Sequence, residues 1–256
     1  MNFLRETALI FRRQLGMSLR TPIWVVVGLA QPIMYLTFFG PLVERVLVQS
    51  DPGIGSTAAW QVFVPGLLVQ LGLFSSLFVG FNVIADVRFG ILERMRVTPV
   101  SRGALLVGRL LRDVVLVEVQ SVILLLVAAL AFGLRAPIGG VLLGLVLVGL
   151  LVAALTALSY AAGLITKNED SFSPLLNFVV VPALLLSGVL LPMSLAPTWL
   201  DVISRLNPLR YILDGMRATF LGQYTSAALL GGGIAAVLLT AFAIAFGWTV
   251  FVRENN

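Results

Sequence analysis

The fold is decided by residues 138–165, which read IGGVLLGLVLVGLLVAALTALSYAAGLI. No Asp, Glu, Lys or Arg interrupts this stretch, and as a helix rising about 1.5 Å per residue it would exceed the hydrocarbon core of a bilayer, about 30 Å thick. It therefore predicts a membrane-spanning helix. Small residues recur in it at four-residue spacing in two stripes, which lets helices pack closely, within the chain in preference to between chains. One stripe holds Gly149, Ala153, Ala157 and Ala161, and the other holds Gly140 and Gly144.

Other apolar stretches flank this one on both sides. They cover residues 22–43, 61–85, 113–133, 174–191 and 227–250. Of the 256 residues, 59% are hydrophobic and 11% charged, whereas a soluble domain is about a quarter charged. We therefore predict an all-α, polytopic membrane protein with six transmembrane helices in a single domain, residues 1–256.

The arginines predict the orientation of these helices. If the N-terminus is inside, the inner segments hold twelve Arg and Lys residues and the outer segments five, which places both termini in the cytoplasm. The net charge is +5. Basic residues in a membrane protein more often set its orientation than bind nucleic acid, so no nucleic-acid partner is expected. We expect this multi-pass protein to lie in a bacterial inner (plasma) membrane.

The first of three notable segments outside the spans is residues 1–21. An amphipathic helix along the inner leaflet is predicted because apolar residues recur at spacings of three and four, with most arginines off that stripe: Leu4, Ala8, Phe11, Leu15 and Leu19. A plain basic flank of the first span is the alternative. A twin-arginine export signal at Arg12-Arg13 is disfavoured, because the following apolar run is too long for a signal core.

The other two segments are the inner loop 86–112 and the outer segment 192–226. In the loop we predict a short cytoplasmic helix from Asp86 to Thr98, ended by Pro99, although an ordinary basic loop is the alternative. In the outer segment, prolines punctuate two predicted short helices, Thr198 to Leu206 and Arg210 to Leu221. Such a hairpin would be re-entrant in the outer leaflet or would cap the bundle, with its arginines in the headgroup layer.

Several kinds of chemistry are excluded by the residues present. The chain has no Cys and no His, which removes thiol nucleophiles, thiolate metal sites and imidazole bases. It also lacks the glycine-rich G-x-x-x-x-G-K-[ST] loop that holds nucleotide phosphates. We therefore expect no catalytic residue, no metal site and no cofactor.

Polar residues inside the predicted spans are few. Glu118 is the one ionisable residue well inside a span, and it could be a proton or cation site or a structural partner of a nearby arginine. Candidate residues of a substrate pathway are Gln31, Tyr35, Gln70 and Asn177. Each could equally form a hydrogen bond between helices.

Two motifs resemble the permease family of type-2 ATP-binding-cassette (ABC) exporters, in its drug-resistance branch. The first is LERMRVTPVSR at 92–102, and the second is SGVLLP at 187–192 followed by NPLRY at 207–211 with Asp214, Gly215 and Arg217. The order of the elements, with an interfacial helix, six spans and an outer hairpin before the last span, is also similar to that family. The resemblance covers nearly the whole chain.

This resemblance implies a membrane subunit of a transporter rather than an enzyme. Two such permease copies, as a homodimer or with a related permease, would form the channel within membrane lipid, and a pair of ABC ATPase subunits would bind ATP and Mg²⁺ underneath. ATPase coupling would fall to residues of the inner loop: Gly90, Glu93, Arg94, Arg96, Thr98 and Pro99. An external lid would be formed by the outer hairpin, including Pro192, Asn207, Pro208, Tyr211 and Arg217.

The expected function is export of a hydrophobic or amphipathic substrate, such as a drug, a lipid or a lipid-linked glycan. Two alternatives remain. One is an ion-coupled secondary transporter that uses Glu118 and needs no ATPase. The other is a membrane protein that transports nothing, such as a receptor or an assembly factor.

Overall fold

The computed structural model describes residues 3–20, 23–50, 55–90, 102–190, 192–193 and 196–253. Within these ranges the chain is helical, without strands. The helices, numbered in chain order, are α1 Phe3–Arg20, α2 Ile23–Met34, α3 Gly40–Ser50, α4 Ser56–Arg88, α5 Arg102–Phe132, α6 Ile138–Thr166, α7 Glu169–Leu185, α8 Thr198–Ser204, α9 Pro208–Phe220 and α10 Ala227–Arg253. A π-helical segment, Tyr35–Phe39, joins α2 to α3.

Five helical segments of the described chain are long and apolar enough to cross a membrane. They are Val25–Gln49 in the continuous α2–α3 helix, Ser56–Arg88, Gly103–Phe132, Ile138–Thr166 and Ala227–Phe251. Each contains or largely covers one of the predicted apolar stretches. The chain is therefore an integral, multi-pass membrane protein.

The remaining predicted span, residues 174–191, differs from the structure. Helix α7 has 17 residues and ends at Leu185, and the chain then turns, with Gly188 at φ +77°. At about 1.5 Å per residue this helix is about 25 Å long, shorter than a hydrocarbon core of about 30 Å. The prediction failed beyond Leu185 because the apolar residues that follow pack against another helix instead of continuing α7.

Helix α4 lies at the centre of the fold. Its 33 residues make it about 50 Å long. In its most apolar 18-residue stretch, 72% is buried inside the protein. It packs on α6, which in turn packs on α10, and it also contacts α3, α5 and α9. Two of the small residues of α6 allow close packing on α9 within the chain: a side chain at Gly140 would overlap the carbonyl of Thr219, and one at Gly144 would overlap the ring of Phe220.

Helix α1 crosses the beginning of α5. With 31 residues α5 is about 46 Å long, so its first turns extend beyond a core of about 30 Å. Glycines of α5 lie against α1 there, Gly103 beside Phe3 and Gly108 beside Ile10. The predicted apolar stripe does not form this contact, because Leu4 is 78% exposed.

Candidate functional site

The outer hairpin consists of α8 and α9, which lie on the residues where two short helices were predicted. Asn207 begins α9 as its N-cap: its Oδ1 accepts a hydrogen bond from the Leu209 backbone N–H at 3.0 Å. Its Nδ2 donates to the carbonyl of Ala183, near the end of α7, at 2.6 Å. One buried side chain thus both starts α9 and attaches the hairpin to α7.

Arg217, near the end of α9, is the most deeply buried cation of the hairpin, at 6% exposed. Its Nε donates to the Val62 carbonyl of α4 at 3.1 Å, and its Nη2 donates to the Gly188 carbonyl at 2.6 Å. Its Nη1 lies 3.5 Å from a carboxylate oxygen of Asp214, an ion pair of poor hydrogen-bond geometry. Burial lowers the pKa of Arg217 to about 10, opposed by Asp214, so the guanidinium stays charged at neutral pH.

The two carbonyls that Arg217 binds belong to segments already in close contact. Pro65 interrupts the backbone hydrogen bonds of α4 at this level, and the next residue, Gly66, lies against the chain at Val189. A side chain at Gly66 would overlap the Val189 carbonyl oxygen. The turn 186–190, α4 and α9 therefore form one tightly packed unit, which we call the outer clip.

Ion pairs connect α8 to α9 at the surface of the outer clip. Arg210 lies 2.5 Å from a carboxylate oxygen of Asp201 and also donates to the Asp201 carbonyl at 2.8 Å. Arg205 pairs with the same carboxylate at 2.8 Å, and its carbonyl accepts a hydrogen bond from the Tyr211 hydroxyl at 2.9 Å. These hydrogen bonds from Arg205 and Arg210 hold the pKa of Asp201 below its usual value.

This geometry corrects the prediction that all three hairpin arginines lie among lipid headgroups. Arg217 is buried on backbone carbonyls, and Arg210 is largely covered by its pairing with Asp201. Only Arg205 is well exposed, at 63% of its side chain. A cation turns inward here because the carbonyls of Val62 and Gly188 both lie within reach of the guanidinium at the end of α9.

The remaining predicted hairpin residues take simpler positions. Pro208 occupies the first turn of α9, where its missing N–H costs nothing. Pro192 lies outside the described helices, after the 186–190 turn. Tyr211 is partly exposed at the edge of an apolar groove of about 390 Å³ between the α8–α9 turn and α10.

The inner end of α4 lies next to the predicted ATPase-coupling loop. Helix α4 continues to Arg88, beyond the start of that loop at Asp86, and Gly90 follows in a left-handed turn at φ +66°. Glu93, Arg94, Arg96, Thr98 and Pro99 lie outside the described residues.

An ion pair connects the helices at the base of this loop. Asp86 pairs with Arg109 of α5 at 2.7 Å, and that guanidinium lies 5.9 Å from the ring centroid of Tyr160 on α6. The helices on either side of the loop are thus joined at its base.

The predicted pathway residues are not brought together in the isolated chain. Gln31 is exposed on α2, and Asn177 is exposed on α7, where its Nδ2 donates to the Ser173 carbonyl of its own helix. Tyr35 is half-buried in the π-helical segment. Gln70 does not line an exposed surface, because it is 3% exposed in the core of α4. Gln31 and Asn177 could meet a substrate only at a surface that the single chain leaves open.

Glu118 of α5 faces α6. Its carboxylate lies beside Gly149, where an added side chain would come within 2.8 Å of it. No arginine pairs with it among the described residues, so the expected structural ion pair is not found there. Gln120, two residues on, instead joins α5 to α2 by donating to the Val25 carbonyl at 3.2 Å.

Sequence reasoning missed several of the contacting residues. Val62, Gly66 and Gly188 take part through backbone atoms, which leave no polar signature in a sequence. Asp201 did carry a signal, because it precedes Arg205 by four residues on a predicted helix.

Comparison with known proteins identifies the family. A family model described as ABC-2 type transporter matches residues 5–221. The chain is 27% identical over 225 residues to the "Putative transport permease ycf38" of Cyanophora paradoxa, covering 88% of this chain and 76% of that protein.

Drug-resistance permeases are also among the relatives. The daunorubicin resistance ABC transporter permease protein DrrB1 of Streptomyces coeruleorubidus is 25% identical, with 78% of this chain and 70% of that protein covered. The "Probable doxorubicin resistance ABC transporter permease protein DrrC" of Mycobacterium tuberculosis is 24% identical, with 95% and 89% covered. The predicted resemblance is confirmed: the chain is a membrane permease subunit that belongs to the ABC-2 type transporter family.

Proposed function

We propose that this chain is the permease subunit of an ATP-driven exporter. Two copies would form the channel, and a separate pair of ABC ATPase subunits would bind and hydrolyse ATP with Mg²⁺. The observation that carries the proposal is the family match over residues 5–221 in a chain whose sequence has no nucleotide-binding loop. Such a subunit needs an outside source of energy and a surface on which to receive it.

The receiving surface in this proposal is the loop that follows α4. Glu93, Arg94 and Arg96 would make charged contacts with the ATPase, and Thr98-Pro99 would fix the bend of the coupling helix. Two features support this role: α4 is a continuous helix from the outer clip to Arg88, at the start of the loop, and the Asp86–Arg109 ion pair joins the helices that flank the loop. A push on the loop would therefore act on α4 and α5 together.

At the outer end, the hairpin α8–α9 would act as the external lid. Its attachment to α4 through Arg217 supports movement of the lid with α4 rather than by itself. The route would run between the two copies, along the exposed faces that carry Gln31 and Asn177. Six crossings and cytoplasmic termini belong to this proposal, with α7 and the 186–190 turn together supplying the fifth crossing despite the shortness of α7.

The substrate class in this proposal is a hydrophobic or amphipathic molecule, such as a drug, a lipid or a lipid-linked glycan. Exposed apolar side chains on the proposed walls support it, among them Phe38, Leu42 and Phe178. Two of the relatives are named for resistance to the amphipathic drugs daunorubicin and doxorubicin. The proposed location is a bacterial plasma membrane.

A pull-down of the detergent-solubilised chain tests the proposal. We expect an ATP-hydrolysing partner to be retained by the wild type and lost from Glu93→Ala with Arg94→Ala. Arg205→Ala, which removes an exposed cation at the other end of the molecule, is the matched control and should retain the partner. Retention of no ATPase by the wild type would contradict the proposal.

One observation favours a second candidate, an ion-coupled transporter. Glu118 lies inside a span, beside Gly149, without an arginine partner among the residues described. A carboxylate in such a place is costly unless it faces protein or water, and it could carry a proton. In that case Glu118→Gln would abolish transport, whereas changes at Glu93 and Arg94 would not.

A further inference from the structure

Helix α1 has three sides of different character. At about 100° per residue around a helix, Glu6, Thr7 and Ile10 point to one side, and this side packs on α5. Leu4, Ala8, Phe11 and Leu15 occupy a second arc of about 60°. A third arc of about 100° holds the four arginines of the helix: Arg5, Arg12, Arg13 and Arg20.

The arginine arc has no counter-charge in the described part of the chain. All four arginines are exposed, and none forms an ion pair with a described carboxylate. The single acidic residue of α1 is Glu6, which is 5% exposed on the packed side. Four like charges within about 23 Å of helix, between Arg5 and Arg20, therefore face outward together.

The apolar arc lies directly beside the arginine arc. Leu4 is 78% exposed, Ala8 is exposed, and Phe11 and Leu15 are only partly covered. Since α5 packs on the side that holds Glu6, Thr7 and Ile10, this apolar surface has no partner among the described residues. A helix with a free apolar side next to a basic side lies in a membrane interface, with its cations at the level of the headgroups.

The packing on α5 sets the depth of α1. Ser18 accepts a hydrogen bond from Arg112 Nε at 3.0 Å, whereas Phe3 lies beside Gly103. These contacts span about 22 Å along α1 but only about 14 Å along α5, so α1 crosses α5 obliquely. The crossing lies on the first turns of α5, the part that extends beyond the apolar core.

We propose that α1 is a binding surface for anionic lipid headgroups, in which Arg5, Arg12, Arg13 and Arg20 contact phosphates while Leu4, Ala8, Phe11 and Leu15 enter the acyl chains. Charge complementarity favours an acidic lipid over a zwitterionic one, because clustered basic residues near a surface are attracted in proportion to its negative charge. This binding goes beyond the proposed transport function and does not depend on the substrate or on the ATPase.

The test counts lipids on the purified full chain. Native mass spectrometry in micelles would measure the affinity for phosphatidylglycerol and for phosphatidylcholine with the same acyl chains. We expect Arg12→Gln with Arg13→Gln to weaken phosphatidylglycerol binding by about tenfold or more, the effect of two basic residues at an anionic surface, and to leave phosphatidylcholine binding unchanged. Arg12→Lys with Arg13→Lys should retain most of the affinity.

The matched control removes the same charge elsewhere. Arg45→Gln with Arg135→Gln takes away two exposed arginines that are not on α1, and we expect little change in phosphatidylglycerol binding. Leu4→Gln should weaken the binding of both lipids and keep their ratio. Equal losses of phosphatidylglycerol binding in the α1 variant and in the control would overturn the proposal. A wild type without preference for phosphatidylglycerol would also overturn it, and so would a loss of that preference when the chain is purified in complex with an ATPase.

Discussion

The two ends of α4 are held in different ways. At the outer end, a buried arginine donates to two backbone carbonyls, and a glycine of α4 lets a neighbouring turn approach at backbone distance. At the inner end, α4 is joined to α5 by a pair of side chains, Asp86 and Arg109, which are 23% and 14% exposed.

This difference separates a rigid region from an adjustable one. At the outer clip the donating guanidinium is only 6% exposed, so breaking the contact would leave largely buried polar groups without a partner, at the cost of their desolvation. A side-chain ion pair within reach of water can exchange partners at little cost. The outer clip is therefore suited to hold its shape, and the inner end to move under a partner.

The largest effect expected is that of Arg217→Met. This change removes a buried charge that satisfies two carbonyls, so it should lower the free energy of unfolding by about 3 kcal/mol or more. Arg217→Lys should recover only part of the loss, because one ammonium group cannot reproduce the forked geometry. Thermal unfolding in detergent measures both, with Arg205→Met as the exposed control on the same hairpin, expected to cost less than about 1 kcal/mol. Equal costs at the two positions would show that the buried contacts of Arg217 do not stabilise the outer clip.

Gly66→Ala ranks second. The added methyl group would overlap the Val189 carbonyl, so α4 and the 186–190 turn must move apart, at about 2 kcal/mol. Gly231→Ala in α10 is a matched helical glycine with nothing within 4 Å, and it should be neutral or stabilising by up to about 1 kcal/mol. The same thermal assay distinguishes them, and a stable Gly66→Ala protein would contradict the close approach.

Asn207→Ala should lower stability by about 1–2 kcal/mol, because it removes the N-cap of α9 together with the bond to Ala183. Asn207→Asp separates the two contributions. An aspartate can accept from the Leu209 N–H but cannot donate to a carbonyl, so its stability should lie between those of wild type and Asn207→Ala. If Asn207→Asp is no better than Asn207→Ala, the cap contributes nothing.

The inner pair should give a smaller effect. Asp86→Asn and Arg109→Gln should each cost about 1 kcal/mol, and their double-mutant cycle should show a coupling of at least about 0.5 kcal/mol. The exchange Asp86→Arg with Arg109→Asp should restore part of the stability. A coupling as large as the Arg217 effect would mean that the inner end is as rigid as the outer clip.

The smallest effect concerns acid. The folded-state pKa of Asp201 is lowered by its arginine partners, so its contribution to stability is complete above the usual carboxyl pKa of about 3.9 and is lost as the pH falls through the lowered value. Asp201→Asn should abolish that part of the acid sensitivity. Unfolding midpoints of both proteins at neutral pH and near pH 3 would check this; an equal loss in the two proteins would show that Asp201 does not contribute.

Much of the fold could be predicted because it depends on local composition. Apolar runs such as 138–165 define spans on their own, and helices α8 and α9 fall where Pro197 and Pro208 interrupt the outer segment. The second of these helices was predicted from Arg210, but it begins two residues earlier, at Pro208 with Asn207 as its N-cap.

The features that could not be predicted depend on contacts with residues far away in the sequence. The turn after Leu185 packs on Gly66, 119 residues earlier, and the buried Arg217 donates to the carbonyl of Val62, 155 residues earlier. Gln70 was a candidate either for a pathway or for a hydrogen bond between helices, and its burial in the core of α4 disfavours the pathway. The stripe at Leu4 showed the correct period for a helix but not which side α5 would take.

ATP-dependent uptake into inside-out membrane vesicles tests the central claim most directly. With doxorubicin as an amphipathic probe, the account predicts accumulation on adding ATP to the wild type and to Glu118→Gln, and none in Glu93→Ala with Arg94→Ala. Accumulation that needs a proton gradient instead of ATP, is lost in Glu118→Gln and survives in the Glu93 and Arg94 variant would contradict an ATP-driven permease and establish the ion-coupled transporter.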